Sequence, residues 1–87
     1  MIDNTTLFDK SLIRKEFVGL TIDEVFKIIK EKGYDPINQL LGYLLSDDLS
    51  YITNYKNARL KLSSLSRSEI INYLLLSHFN RLWELLV

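Results

Sequence analysis

Asp35-Pro36-Ile37-Asn38-Gln39-Leu40-Leu41-Gly42-Tyr43-Leu44-Leu45-Ser46-Asp47-Asp48 is the stretch that decides the fold class. An aspartate followed by proline is a helix start: the carboxylate accepts from the free amides of the first turn, and proline at N1 gives up an N–H that had no partner. Ile37, Leu40, Leu41, Leu44 and Leu45 then recur at helical spacing and form one apolar stripe. Ser46-Asp47-Asp48 reads as the turn that ends it. Gly42 sits inside this helix, where only a close approach by a neighbouring element justifies it.

Working outward, Gly33 follows Lys32 as a C′ residue and ends an earlier helix. That helix carries Val25, Phe26, Ile28 and Ile29 at helical spacing, and Thr21-Ile22-Asp23-Glu24 has the form of a capping box at its start. Leu12, Ile13, Phe17 and Val18 also fit a helical face further upstream. Glycine inside a helix costs about 1 kcal/mol relative to alanine, so the sequence predicts a break near Gly19 in preference to one long helix. Downstream, a helical turn is expected over Leu49–Ile52 and a third helix over Asn54–Ser64, with Ala58, Leu60 and Leu62. Ser66-Arg67-Ser68-Glu69 is a second capping box and opens the longest helix, Arg67 to about Leu85. Ile70, Ile71, Leu74, Leu75, Phe79, Leu82, Leu85 and Leu86 make its stripe, and Leu76 and Trp83 widen it beyond what a monomer's surface helix needs. No hairpin signal such as Asn-Gly occurs. The expected architecture is all-α: a compact bundle of four to five helices over residues 11–87, preceded by a mobile tail over 1–10 with Leu7-Phe8 as a small apolar handle.

Eighty-seven residues make one domain, and a chain of this size buries only about 60–65% of its extended surface. The surplus apolar stripe therefore points to a homodimer that shares its core. Eleven basic and eleven acidic residues cancel, which argues against long-range attraction to nucleic acid or anionic lipid. Cysteine is absent, which removes disulfides, thiolate catalysis and cysteine metal sites and fits a reducing compartment. The N-terminus has no basic start and apolar run of a signal peptide, and no apolar stretch reaches membrane-spanning length. The expectation is a cytoplasmic protein that meets no membrane.

Lys32-Gly33-Tyr34-Asp35-Pro36-Ile37-Asn38-Gln39-Leu40-Leu41-Gly42-Tyr43-Leu44-Leu45-Ser46 resembles the most characteristic segment of the IreB/ReoM family of small bacterial regulators. The similarity continues more loosely through Asp47, Asp48, Tyr51, Ile52, Tyr55, Lys56, Asn57, Ala58 and Arg59, and again at Arg67, Glu69, Ile70 and Ile71. Thr6-Leu7-Phe8 resembles the family's tail threonine with its following apolar pair, and Thr5 is its neighbour. The resemblance implies an all-helical dimer, phosphorylated on a tail threonine by a membrane Ser/Thr kinase with extracellular PASTA domains. For some members it implies control of the Clp-dependent degradation of an enolpyruvyl transferase of cell-envelope synthesis. Three features depart from the family: Leu62-Ser63-Ser64-Leu65 stands where arginines are usual, the proline-rich turn near Leu49 and Thr53 is missing, and Phe79–Val87 is more apolar than the usual charged end.

Several constellations are candidate sites. A phosphate on Thr6 or Thr5 adds about −1.5 to −2 charges; it has Arg14, Lys15 and Arg59 as docking partners and Asp3 and Asp9 as repelling ones. Tyr34, Asn38, Gln39, Tyr43 and Arg59 are the candidate contacts for a protein client or protease adaptor, with interhelical packing and hydrogen bonding as the structural reading of the same residues. Lys56, Arg59, Lys61 and Arg67 would form a small basic face in the alternative reading, a helix-turn-helix-like DNA-binding protein. Catalysis has little to stand on: His78 is the single histidine, Ser77 beside it faces elsewhere on a helix, and Asp47-Asp48 is explained by the turn. The expected function is that of a non-enzymatic regulator without metal or cofactor, acting through protein contacts and set by its tail.

Overall fold

The computed structural model describes residues 10–87, and these form four α-helices with two short 3-10 turns and no strand. They are α1 (Lys10–Glu31), α2 (Pro36–Ser46), the 3-10 turns Leu49–Tyr51 and Tyr55–Asn57, α3 (Ala58–Ser63) and α4 (Arg67–Leu86). The all-helical expectation stands. The tail threonines Thr5 and Thr6, and the apolar pair Leu7-Phe8, lie outside the described residues.

The first helix differs from the sequence reading. It runs unbroken for 22 residues through Gly19, a length of about 33 Å. Thr21 is buried in mid-helix and is no N-cap, and Glu24 reaches Lys61 on α3 at 2.9 Å instead of turning back to its own helix. The reason is tertiary. A Cβ on Gly19 would sit 2.5 Å from the Tyr73 hydroxyl oxygen on α4, so the glycine is a crossing point and not a breaker. Gly42 has the same function on α2, where a Cβ would strike the ring of Tyr51.

Four of the local end signals behave as read. Gly33 takes φ +92°; its N–H donates to Lys30 O and the Tyr34 N–H to Ile29 O, closing α1 in a Schellman motif. Asp35 accepts from the Ile37 and Asn38 amides and starts α2 with Pro36 in the first turn. Asp47 turns left-handed, its N–H donating to Tyr43 O, and Asp48 accepts from the Ser50 amide. Ser66 and Glu69 complete the capping box of α4.

The expected third helix over Asn54–Ser64 is shorter than read. Lys56 (φ 48°) and Asn57 (φ 62°) are both left-handed, and regular α-helix begins only at Ala58. Two consecutive non-glycine residues in that region are costly. The tight turn sets Ala58 fully inside the core, while Lys56 is held by Glu31 at 2.6 Å and stacks over Tyr55.

The core lies along one face of α1. Val18, Ile22, Val25 and Ile29 follow one another at spacings of four, three and four, and they meet Leu40 and Tyr43 of α2, Ile52, Ala58 and Leu62 of α3, Leu65, and Ile70 of α4. Every one of these is buried.

Gly19→Ala is expected to lower stability by about 1–2 kcal/mol through overpacking. In a chain that also carries Tyr73→Ala, the same alanine should raise stability by up to about 1 kcal/mol, the helix-propensity difference. Urea melts of the four chains measure both; the same sign in both backgrounds would show that the crossing is not what requires the glycine.

Candidate functional site

The five residues read as partner contacts separate into three environments. Tyr43 is 4% exposed and belongs to the core. Gln39 and Arg59 form an internal latch: the Thr53 amide donates to Gln39 Oε1 at 3.0 Å, and Arg59 Nε donates to Ile52 O at 2.9 Å. Together they tie the segment between the 3-10 turns to α2 and α3, and they satisfy the backbone around Ile52, which is fully buried. Tyr34 and Asn38 alone of the five are exposed, on the short connection into α2 and on its first turn.

A different surface of α2 faces outward. Of its apolar stripe only Leu40 is buried. Pro36, Leu40 and Tyr43 form the inner face, while Ile37, Leu41 and Leu45 point to solvent, Leu45 at 77% exposure. Ile22, Phe26, Ile37, Leu40, Leu41 and Leu74 line a groove of about 380 Å3 between α1, α2 and α4. On α4 only Ile70 is buried; Leu74, Leu75, Phe79, Leu82 and Trp83 are all exposed, as the excess width of its stripe predicted. Continuous exposed apolar surface of this kind marks interaction faces. The sequence shows that α2 has an apolar stripe, but which half of it turns inward depends on where α1 and α3 lie.

The proposed basic face is neutralised within the fold. Lys56 pairs with Glu31 at 2.6 Å, Lys61 with Glu24 at 2.9 Å, and Arg67 with Asp47 at 3.0 Å, while Arg59 serves the latch. Phosphate contacts to a nucleic acid would have to displace these partners. His78 is exposed with its ring edge-to-face on Phe79, and among the described residues no group of His, Cys, Asp or Glu is arranged to hold a metal.

One charged node stands apart. Arg14 Nε donates to Glu69 Oε2 at 2.7 Å, and its Nη2 donates both to Glu69 Oε1 at 2.9 Å and to Ser64 O at 3.0 Å. Glu69 Oε1 also accepts from the Ser66 amide, so one carboxylate closes the cap of α4 and anchors the start of α1. Hydrogen bonds from the Arg14 guanidinium, then from the Ser66 amide, hold the Glu69 carboxyl at about 2, well below the usual carboxylate range. The sequence revealed the cap; nothing in it tied Arg14 to Glu69, 55 positions away.

Compared with known proteins, the chain matches the sequence profile of the IreB regulatory phosphoproteins over residues 3–80. That span takes in the tail threonines, the latch, the groove between α1, α2 and α4, and the Arg14–Glu69 node. The chain belongs to the IreB family. A UPF0297 protein of Clostridioides difficile (strain 630) is 46% identical over 80 residues, which cover 92% of this chain and 94% of that protein. The IreB match ends within α4, before Arg81-Leu82-Trp83-Glu84-Leu85-Leu86-Val87, where the C-terminal apolar surface of this chain continues. No helix among the described residues is long and apolar enough to cross a membrane.

Glu69→Gln is expected to reduce stability at neutral pH by about 0.5–1 kcal/mol, the range for an exposed ion pair. A carboxylate with a depressed pKa stabilises the fold above its unfolded value of 4.5 and loses that contribution as pH falls toward about 2. The difference in Tm between wild type and variant should therefore be constant above pH 5 and shrink steadily below it. A difference that is independent of pH down to 2 would mean that the charge on Glu69 contributes nothing.

Proposed function

We propose that this IreB-family protein is a non-enzymatic regulator whose tail threonine, Thr6 or its neighbour Thr5, is phosphorylated by a Ser/Thr protein kinase, and which acts by contacts with other proteins. The observation that carries this reading is the match to a family of regulatory phosphoproteins that begins at residue 3 and so includes both threonines. The architecture supports it. A domain with a latched interior, neutralised cations and extensive exposed apolar helix surface suits binding better than turnover. By the resemblance stated above, the process regulated is cell-envelope synthesis through Clp-dependent degradation of an enolpyruvyl transferase. Tyr34 and Asn38 are the exposed residues on the family's characteristic segment and are proposed as client contacts, with Gln39, Tyr43 and Arg59 holding that segment in shape.

The same reading includes a homodimer. The exposed apolar side chains of α4 need cover, and a second copy offers matching apolar faces at the chain's own concentration.

Incubation with an active PASTA-type kinase and ATP is expected to add one phosphate by mass, and Thr6→Ala to abolish it; Thr5→Ala resolves the neighbour. No mass shift with a kinase that modifies a control substrate overturns the phosphorylation reading. Sedimentation equilibrium should give twice the chain mass, and Leu75→Glu with Phe79→Glu should give the single-chain mass with helicity kept. A wild-type chain that sediments as a monomer overturns the dimer.

A further inference from the structure

Between the first two turns of α1 and the start of α4 lies a cavity of about 190 Å3, lined by Ser11, Arg14, Lys15, Glu69, Asn72 and Tyr73, with Val18 at its floor. Its polar rim combines two cations with hydroxyl and amide groups, the donor chemistry that binds a phosphoryl group. Arg14 gives its Nε and Nη2 hydrogens to Glu69 and Ser64, and the contacts among the described residues leave Nη1 uncommitted. Lys15 is exposed and pairs with no acid among the described residues. Next to this cavity, Lys10, Ile13, Arg14 and Phe17 line an apolar hollow in which Ile13 and Phe17 are exposed.

The tail is tethered at the rim of both. Thr6 stands four residues before Lys10, and four extended residues span about 13–14 Å. The cavity begins at Ser11, so the reach is ample without moving the fold.

The geometry points to this cavity as the intramolecular dock for a phosphate on Thr6, with Arg14 Nη1 and Lys15 Nζ as its cationic contacts and the Ile13–Phe17 hollow as the seat for Leu7 or Phe8. This rests on the tail-phosphorylation reading and adds what the phosphate does: it folds the arm back onto α1 and α4. Glu69 opposes it. Its carboxylate holds the same guanidinium and repels the incoming anion, so the phosphorylated tail binds against a built-in resistance. The charged and titratable groups facing the phosphate are Arg14, Lys15 and Lys10 from α1 and Glu69 and Tyr73 from α4.

A full-length chain made with phosphothreonine installed at residue 6 during synthesis keeps the two questions apart: the kinase experiment tests whether the tail is modified, and this chain tests where a phosphate goes. The readout is the rate at which a nonspecific phosphatase removes the phosphate. Docking predicts hydrolysis about fivefold faster in Arg14→Gln and in Lys15→Gln than in wild type, the scale of one partly exposed charge-assisted hydrogen bond. Glu69→Gln breaks the same ion pair as Arg14→Gln but removes the repelling charge, so its phosphate is removed no faster than in wild type. Equal rates in all four chains overturn the proposal. So does equal acceleration in Arg14→Gln and Glu69→Gln with Lys15→Gln unchanged, because loss of the bridge alone would produce that pattern.

Discussion

The close crossing of α1 and α4 at Gly19 and Tyr73 is the constraint on which the rest of the molecule depends. Because the glycine lets the Tyr73 ring lie against its backbone, α1 passes the crossing unbroken and offers one continuous face to the core. Val18, Ile22, Val25 and Ile29 then share one core cluster with residues of α2, the 3-10 segment, α3 and α4. With a small core of this kind, stability comes from burying one helix face against many partners and not from the depth of any single contact. The same crossing sets the start of α1 beside the cap of α4, which is where Arg14 finds Glu69.

That arrangement divides the molecule by chemistry. Cations near the core are consumed by acids on neighbouring elements, Lys56 by Glu31, Lys61 by Glu24 and Arg67 by Asp47, and these pairs steer elements together more than they stabilise them. Aliphatic surface is left outward on α2 and along α4. A fold that pairs Lys56, Lys61 and Arg67 with its own acids and exposes apolar helix faces suits proteins as partners. The start of α1 lies at a corner where Arg14, bound to Glu69 and to the Ser64 carbonyl, still has an unused Nη1 donor among the described contacts.

The segment read from sequence as a partner surface has a structural duty within the fold. Tyr34-to-Arg59 is both the most characteristic stretch of the chain and the part that latches its own interior. Gln39 and Arg59 look like recognition residues because polar side chains with several hydrogen-bonding groups are used for recognition. They are instead occupied by the backbone of Ile52 and Thr53, which would otherwise carry unmet groups near the core. Tyr43 is inside for its ring area. Recognition chemistry and internal satisfaction draw on the same residue types, and spacing alone does not distinguish them.

Local chemistry in the sequence determined the all-helical class, the Asp35-Pro36 start, the Gly33 stop, the Ser66–Glu69 cap and the excess apolar width of α4, because each depends on groups within a few residues of one another. Local chemistry also suggested a break at Gly19 and a longer third helix, and there it failed. A glycine costs a helix stability wherever it stands, and only the presence of Tyr73 from α4 makes it necessary in the middle of one. In the same way, the left-handed turn at Lys56 and Asn57 is unfavourable by itself and holds because Ala58 must enter the core. Tertiary structure alone decided which half of the α2 stripe faces inward, which side chains latch the interior, and that Arg14 meets Glu69, since each is set by residues that become neighbours only after the chain has packed.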